Sequence, residues 1–117
     1  MDLLCFAILS GMTFADFKSI DLRVGKILAA ERVADSEKLI RLRVDLGGEE
    51  RQLVAGIGKV YEPESLVNKE IAVVANLEPK TLMGIESQGM LLAAHDANGE
   101  PVILTVEKEV QPGSKIT

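Results

Sequence analysis

The sequence predicts an all-β domain: a five-stranded barrel of the OB type, with a short helix between strands 3 and 4 and short terminal extensions. Three observations carry this. Residues 39–46 alternate without a slip, with Ile40, Leu42, Val44 and Leu46 on one face and Leu39, Arg41, Arg43 and Asp45 on the other. That is a strand with one buried and one wet face. The other apolar runs have strand length and are separated by glycine, proline and Asp/Asn turns. The first run is long and carries Gly25, where a strand of a small closed barrel must bend.

Taken in order, Thr13 can cap a short helix over 14–19, with Asp16 favourable in its first turn. Strand 1 is expected over 22–32. A bulge at Gly25 would let Val24 and Ile27 both face inward and leave Arg23 and Lys26 outward. Strand 2 ends at Gly47-Gly48-Glu49-Glu50, a hairpin turn by composition, and strand 3 follows over 51–57. Arg51 would then lie near Arg41 and Arg43 across the hairpin. Pro63 suits the first turn of a short helix within 59–68. Strands 4 (70–77) and 5 (89–94) are apolar on both faces, which makes them central or buried at an interface. Residues 78–88 between them read as a loop. Asp96-Ala97-Asn98-Gly99 is a turn with His95 on the surface beside it, and 110–117 is a turn with a last short strand.

A chain of 117 residues, 47% hydrophobic and nearly free of large aromatics, is one domain with a Leu/Ile/Val/Ala core. The barrel is assigned to residues 12–117, preceded by an N-terminal extension, 1–11. Residues 3–9 are apolar, but they lack a basic flank and are too short to span a bilayer. Met12-Thr13-Phe14 is the more natural beginning, so a translation start at Met12 is an alternative. Cys5 is the only cysteine and His95 the only histidine, so neither an intramolecular disulfide nor a Cys/His metal site is expected. No nucleophile–base or carboxylate pair at plausible spacing stands out, so an enzyme is disfavoured, and no cofactor is implied. The expected compartment is the cytoplasm.

The net charge of −5 argues against indiscriminate nucleic-acid binding, but the charge is unevenly placed. Residues 23–59 hold eight Lys or Arg against six acids, and residues 60–117 hold four against nine. Arg23, Lys26, Arg41, Arg43 and Arg51 are candidates for a basic strand face of the kind OB barrels use for oligonucleotides. The bland alternative is a solvated face balanced by Asp45 and Glu49. A second cluster lies in Asn76-Leu77-Glu78-Pro79-Lys80 and Ser87-Gln88-Gly89-Met90, where an amide, a hydroxyl, a thioether and an ammonium gather at one rim. They suit a phosphate backbone and an unstacked base better than they suit catalysis. Taken alone, Asn76 and Ser87 are also good turn residues and Met90 a good core filler.

Residues 21–27 (Asp-Leu-Arg-Val-Gly-Lys-Ile) together with Ser87-Gln88-Gly89-Met90, Lys38-Leu39, Val44-Asp45-Leu46-Gly47, residues 51–57 and Pro112-Gly113 carry a resemblance. The chain resembles the tRNA-binding domain at the C-terminus of bacterial methionyl-tRNA synthetases. That domain also occurs as a free-standing tRNA-binding protein, as a synthetase beta subunit and in endothelial monocyte-activating polypeptide. The resemblance implies tRNA as partner, a homodimer, association with a methionyl-tRNA synthetase catalytic subunit, and no membrane. It implies an RNA surface that includes Ser87 and Met90, and makes RNA contact the preferred reading of Asn76, Lys80, Gln88, Lys38, Arg41 and Arg43. As a rim hydroxyl, Ser87 is expected to contribute little to packing. A secretion chaperone also looks like this family, so a protein-binding dimer is the alternative.

Two departures from the family pattern stand out. His-Pro-Asn-Ala-Asp-Lys-Leu is replaced by Val33-Ala34-Asp35-Ser36-Glu37-Lys38-Leu39, and Met83 stands where the family often has arginine. With no Trp and one Tyr, base stacking is scarce, which favours folded RNA read by shape and backbone.

Overall fold

Strand alternation and a few fixed turns determine the architecture seen in the computed structural model, which describes residues 11–117. The extension expected over 1–11, with Cys5 and the apolar run, lies outside the described residues except for Gly11. Helix α1 (Phe14–Lys18) starts at a full capping box: the Thr13 hydroxyl accepts from the Asp16 N–H and the Asp16 carboxylate accepts from the Thr13 N–H. Strand β1 (Leu22–Arg32) is followed by β2 (Ile40–Asp45), β3 (Glu50–Ala55), helix α2 (Pro63–Leu66) and β4 (Glu70–Val74). Pro63 opens α2, where its missing N–H has no cost, and Leu66 plugs the barrel, fully buried.

Five strands form one antiparallel sheet in the order β3-β2-β1-β4-β7, where β7 is Met90–Leu91. The sheet curls until β3 packs against β7, giving the expected all-β OB-like barrel. Ile40, Leu42, Val44 and Leu46 are all fully buried, as the alternation of β2 requires. Fully burying such side chains contributes about 1.5–3 kcal/mol each relative to exposure.

The structure corrects three expectations. The irregularity in β1 lies between Ile27 and Ala29, where the pairing with β2 shifts, and not at Gly25. Gly25 pairs regularly with Ile71, and its role is close approach: a Cβ there would lie 2.5 Å from a Val44 methyl. Val24 and Ile27 are both buried although no bulge lies between them to turn them to one face. Ile27 points into the core, while the tail lies along β1, with the Gly113 N–H bonded to the Val24 carbonyl.

The second correction concerns residues 78–88, which are a hairpin rather than a loop. Strand β5 (Lys80–Leu82) pairs with β6 (Ile85–Ser87) around Met83-Gly84. Both turn residues have positive φ, 48° and 78°, as a two-residue hairpin turn that matches strand twist demands. The third is that strand 5 divides into β7 and β8 (Ala93–His95), and β8 pairs with β9 (Pro101–Ile103) as a separate ribbon. His95 is exposed beside the 96–99 turn, as expected.

Candidate nucleic-acid interface

Outward side chains of β2 and β3 form one half of the candidate surface. Arg41 and Arg43 project from the wet face of β2, opposite Val54 and Gln52 of β3. Each meets an acid: Arg41 lies 2.6 Å from Glu31 and Arg43 3.1 Å from Glu50. These partners differ from Asp45 and Glu49, the ones expected to balance this face. Such exposed pairs contribute little to stability, about 0–1 kcal/mol, so either arginine can exchange its carboxylate for a phosphate at small cost. With Ala29, Glu31 and Gln88 they line a groove of about 460 Å³.

The basic face is narrower than expected. Arg23 is engaged elsewhere, donating to Asp21 at 3.0 Å, with Lys115 3.7 Å from the same carboxylate. The Arg23 guanidinium beside Asp21 holds that carboxyl below its usual range, and Asp21 in turn raises Arg23. Lys26 stands in register between two acids, Asp45 of β2 and Glu70 of β4. Arg51 departs furthest from expectation. It sits opposite Val44, the inward residue of β2, so it leaves the strand face altogether. Its guanidinium reaches the carbonyls of Ala75 and Gln88, and Glu49 lies 3.1 Å away.

Hairpin β5–β6 and the segment after it form the second half, and here the expected roles divide. Ser87 is 5% exposed. Its hydroxyl accepts from the Val54 N–H at 3.0 Å and donates to the Gly89 carbonyl at 3.0 Å. The expectation of a rim hydroxyl with little part in packing is therefore wrong. The Gln88 side chain accepts from the Gln52 N–H at 3.0 Å, while the Gln88 N–H donates to the Gln52 carbonyl at 2.8 Å. Ser87 and Gln88 thus stand in for strand backbone along the free edge of β3, satisfying donors that an edge strand would leave open. Asn76 is exposed but its amide is occupied: Oδ1 accepts from the Asp21 N–H at 2.9 Å and Nδ2 donates to the Ser19 carbonyl at 2.6 Å. It bonds the backbone leading out of α1, not its own turn.

Met90 and Lys80 are the outward members. Met90 is 50% exposed, not a core filler. With Leu77, Pro79, Lys80 and Leu82 it lines a more apolar groove of about 570 Å³. Leu77, Glu78 and Pro79 also line the neighbouring groove beside Asn76, Arg51 and Gln88, and the last two reach the arginine groove. Seven predicted residues, Arg41, Arg43, Asn76, Lys80, Ser87, Gln88 and Met90, therefore fall on one run of connected grooves. Lys38 lies apart, its aliphatic stem over Gly56. The altered loop that presents it is organised by Ser36, whose hydroxyl accepts from the Leu39 N–H at 3.0 Å. Sequence reasoning missed Gln52, which ties β3 to Gln88 and Glu86; its place directly across from Arg43 was the available signal.

Among the described residues no cluster of His, Cys, Asp and Glu could hold a metal ion, and no helix is long and apolar enough to cross a membrane.

Residues 22–115 match the family described as "Putative tRNA binding domain". The chain is 55% identical over 109 residues to a methionine–tRNA ligase of Thermotoga maritima, covering 92% of this chain and 17% of that protein. It spans about a sixth of the length of the curated relatives it matches. Among solved structures, a MetRS related protein from Pyrococcus horikoshii superposes with a TM-score of 0.87 at 37% identity, over 93% of this chain and 100% of that one. The chaperone CsaA of Bacillus anthracis gives 0.84 at 34% identity, over 92% and 100%.

Proposed function

From the premise that the chain belongs to this tRNA-binding domain family, we propose that it is a non-catalytic module that holds folded tRNA across the connected grooves. The observation that carries this is the family match over residues 22–115, which takes in every strand of the barrel. In this reading Arg41 and Arg43 exchange their exposed carboxylate partners for phosphates, and Lys80 adds a third cation. Met90 supplies apolar surface to a base or ribose, and Lys38 reaches flanking backbone. Asn76, Ser87 and Gln88 shape the surface from within, with Asn76 and Gln88 close enough to the grooves to touch RNA as well. The scarcity of aromatics points to a folded corner of tRNA rather than a single strand.

The expected partners are tRNA, a second copy of the chain and a methionyl-tRNA synthetase catalytic subunit, in the cytoplasm. Support for a second copy comes from exposed Val102 and Leu104. Leu104 is hydrogen-bonded to Ala72 and Leu92, both half-buried, so these apolar residues form one patch. Two modules in one dimer raise effective affinity without new contacts. The test is an anisotropy titration with folded tRNA and with a poly-pyrimidine strand, at several salt concentrations. Tighter binding of tRNA, falling steeply with salt, is expected. Equal binding of both nucleic acids would overturn the folded-RNA reading.

A second reading, a protein-binding dimer, is favoured by the likeness to CsaA and by the exposed apolar groups Leu77, Met83 and Met90. An unfolded peptide that binds while tRNA does not would select it.

A further inference from the structure

Arg51 was a candidate for the basic strand face, and its geometry is wrong for a phosphate ligand there. It projects from the inward side of β3, and its side chain is only 25% exposed. All three of its nitrogens donate within the protein. Nη1 bonds the Ala75 and Gln88 carbonyls, Nε lies 3.1 Å and Nη2 3.4 Å from the two oxygens of Glu49. A fork held by a bidentate carboxylate and two carbonyls has little left to offer an incoming phosphate.

The partners explain what the fork does. Ala75 ends the run from β4 and immediately precedes Asn76. Gln88 lies in the crossing from β6 to β7 and is already tied to Gln52. Strand β3, the Asn76–Pro79 turn and the β6–β7 crossing are far apart in sequence, and Arg51 joins all three. The arginine groove and the groove under Asn76 meet at Arg51 and Gln88.

We propose that Arg51 is a positioning residue: its guanidinium fork holds the Asn76 turn and the Gln88 crossing at fixed distance from the arginine face, so that the two halves of the surface meet one rigid RNA together. This rests on the tRNA-binding reading above. A lysine cannot replace the fork, because an ammonium is a point charge without two fixed donor directions.

The experiment compares the parent with Arg51→Gln, Arg51→Lys and Arg43→Ala, each checked by a melting curve. Folded tRNA is titrated across a salt series, and amide hydrogen exchange is followed in the free protein. Both Arg51 variants should weaken tRNA binding, Arg51→Gln about tenfold and Arg51→Lys at least about threefold, with the log–log salt slope unchanged. Arg43→Ala should lower that slope by about 0.9, the mark of one lost phosphate contact. In the free protein, exchange at the Gln88 and Val54 amides should quicken in both Arg51 variants and not in Arg43→Ala.

A slope lowered in Arg51→Gln but kept in Arg51→Lys would show direct phosphate contact and overturn the proposal. So would parental binding by both variants. If Arg51→Gln fails to fold, Arg51→Lys decides, since it keeps the charge and loses the fork. If the parent binds no tRNA, the functional reading falls and the positioning role with it, whereas quickened exchange would still show that the fork holds the crossing.

Discussion

Two polar regions border the same grooves and differ in how their side chains are engaged. On the β2 face, Arg41 and Arg43 end in exposed ion pairs with Glu31 and Glu50. Along Ser87-Gln88, the side chains replace backbone partners of β3 and are drawn inward. An exposed ion pair exchanges partners at little cost, while a buried hydroxyl that satisfies a buried N–H does not. A loss of RNA binding would therefore mean different things in the two regions. In the first it reports contact, in the second the shape of the barrel rim. The sequence motif that most marks the family resemblance lies in the second.

The sharpest way to break this comparison is Ser87→Ala. It leaves the Val54 N–H buried without its partner and should destabilise the protein by about 1–3 kcal/mol, read from urea denaturation. A loss below about 0.5 kcal/mol would show that the hydroxyl is not locked in.

Arg41→Ala and Arg43→Ala should do the reverse. Stability should stay within about 0.5 kcal/mol, while tRNA affinity falls by about 1 kcal/mol each, a charge-assisted contact traded for an exposed pair. Equal stability losses in both regions would erase the distinction between them.

Met90→Ala sharpens it from the apolar side. Because half of Met90 is exposed, the melting temperature should change little, and tRNA affinity should drop by roughly 1 kcal/mol for the apolar contact removed. A clear stability loss with unchanged binding would place Met90 with Ser87, as part of the frame.

The smallest effect concerns Asp21, which anchors Asn76 through its backbone and Arg23 through its carboxylate. Arg23 chiefly, and Lys115 less, lower its pKa in the folded state against the opposing pull of burial. The unfolded chain then takes up a proton more readily, so the contribution is full above the ordinary carboxylate pKa of 3.8 and is lost as pH falls through the lower folded value. Acid unfolding of Asp21→Asn should accordingly be less steep below about pH 4 than that of the parent, measured by circular dichroism. An identical acid limb would remove Asp21 from the frame.

The barrel was legible in the sequence where a local rule decides the outcome. The alternation of β2 put Ile40, Leu42, Val44 and Leu46 inside, Thr13 and Asp16 capped α1, and Pro63 opened α2. The β5–β6 hairpin was hidden because Met83 does not advertise a positive φ; only the glycine after it does. Residue types at the rim were legible too, since Asn76, Lys80, Ser87, Gln88 and Met90 do line connected grooves.

Composition and pattern alone thus determined the class of fold, the inward face of β2, and which polar groups gather at one rim. Only the tertiary structure decided where each polar group points. The turn of Arg51 off the strand face toward Ala75 and Gln88 follows from its register opposite Val44, and the burial of Ser87 follows from the free edge of β3 beside it. Both depend on contacts between segments more than twenty residues apart, at 24 and 33 positions. A side chain's hydrogen-bond partners are set by which backbone groups closure of the barrel leaves unpaired, and no local pattern in the chain carries that.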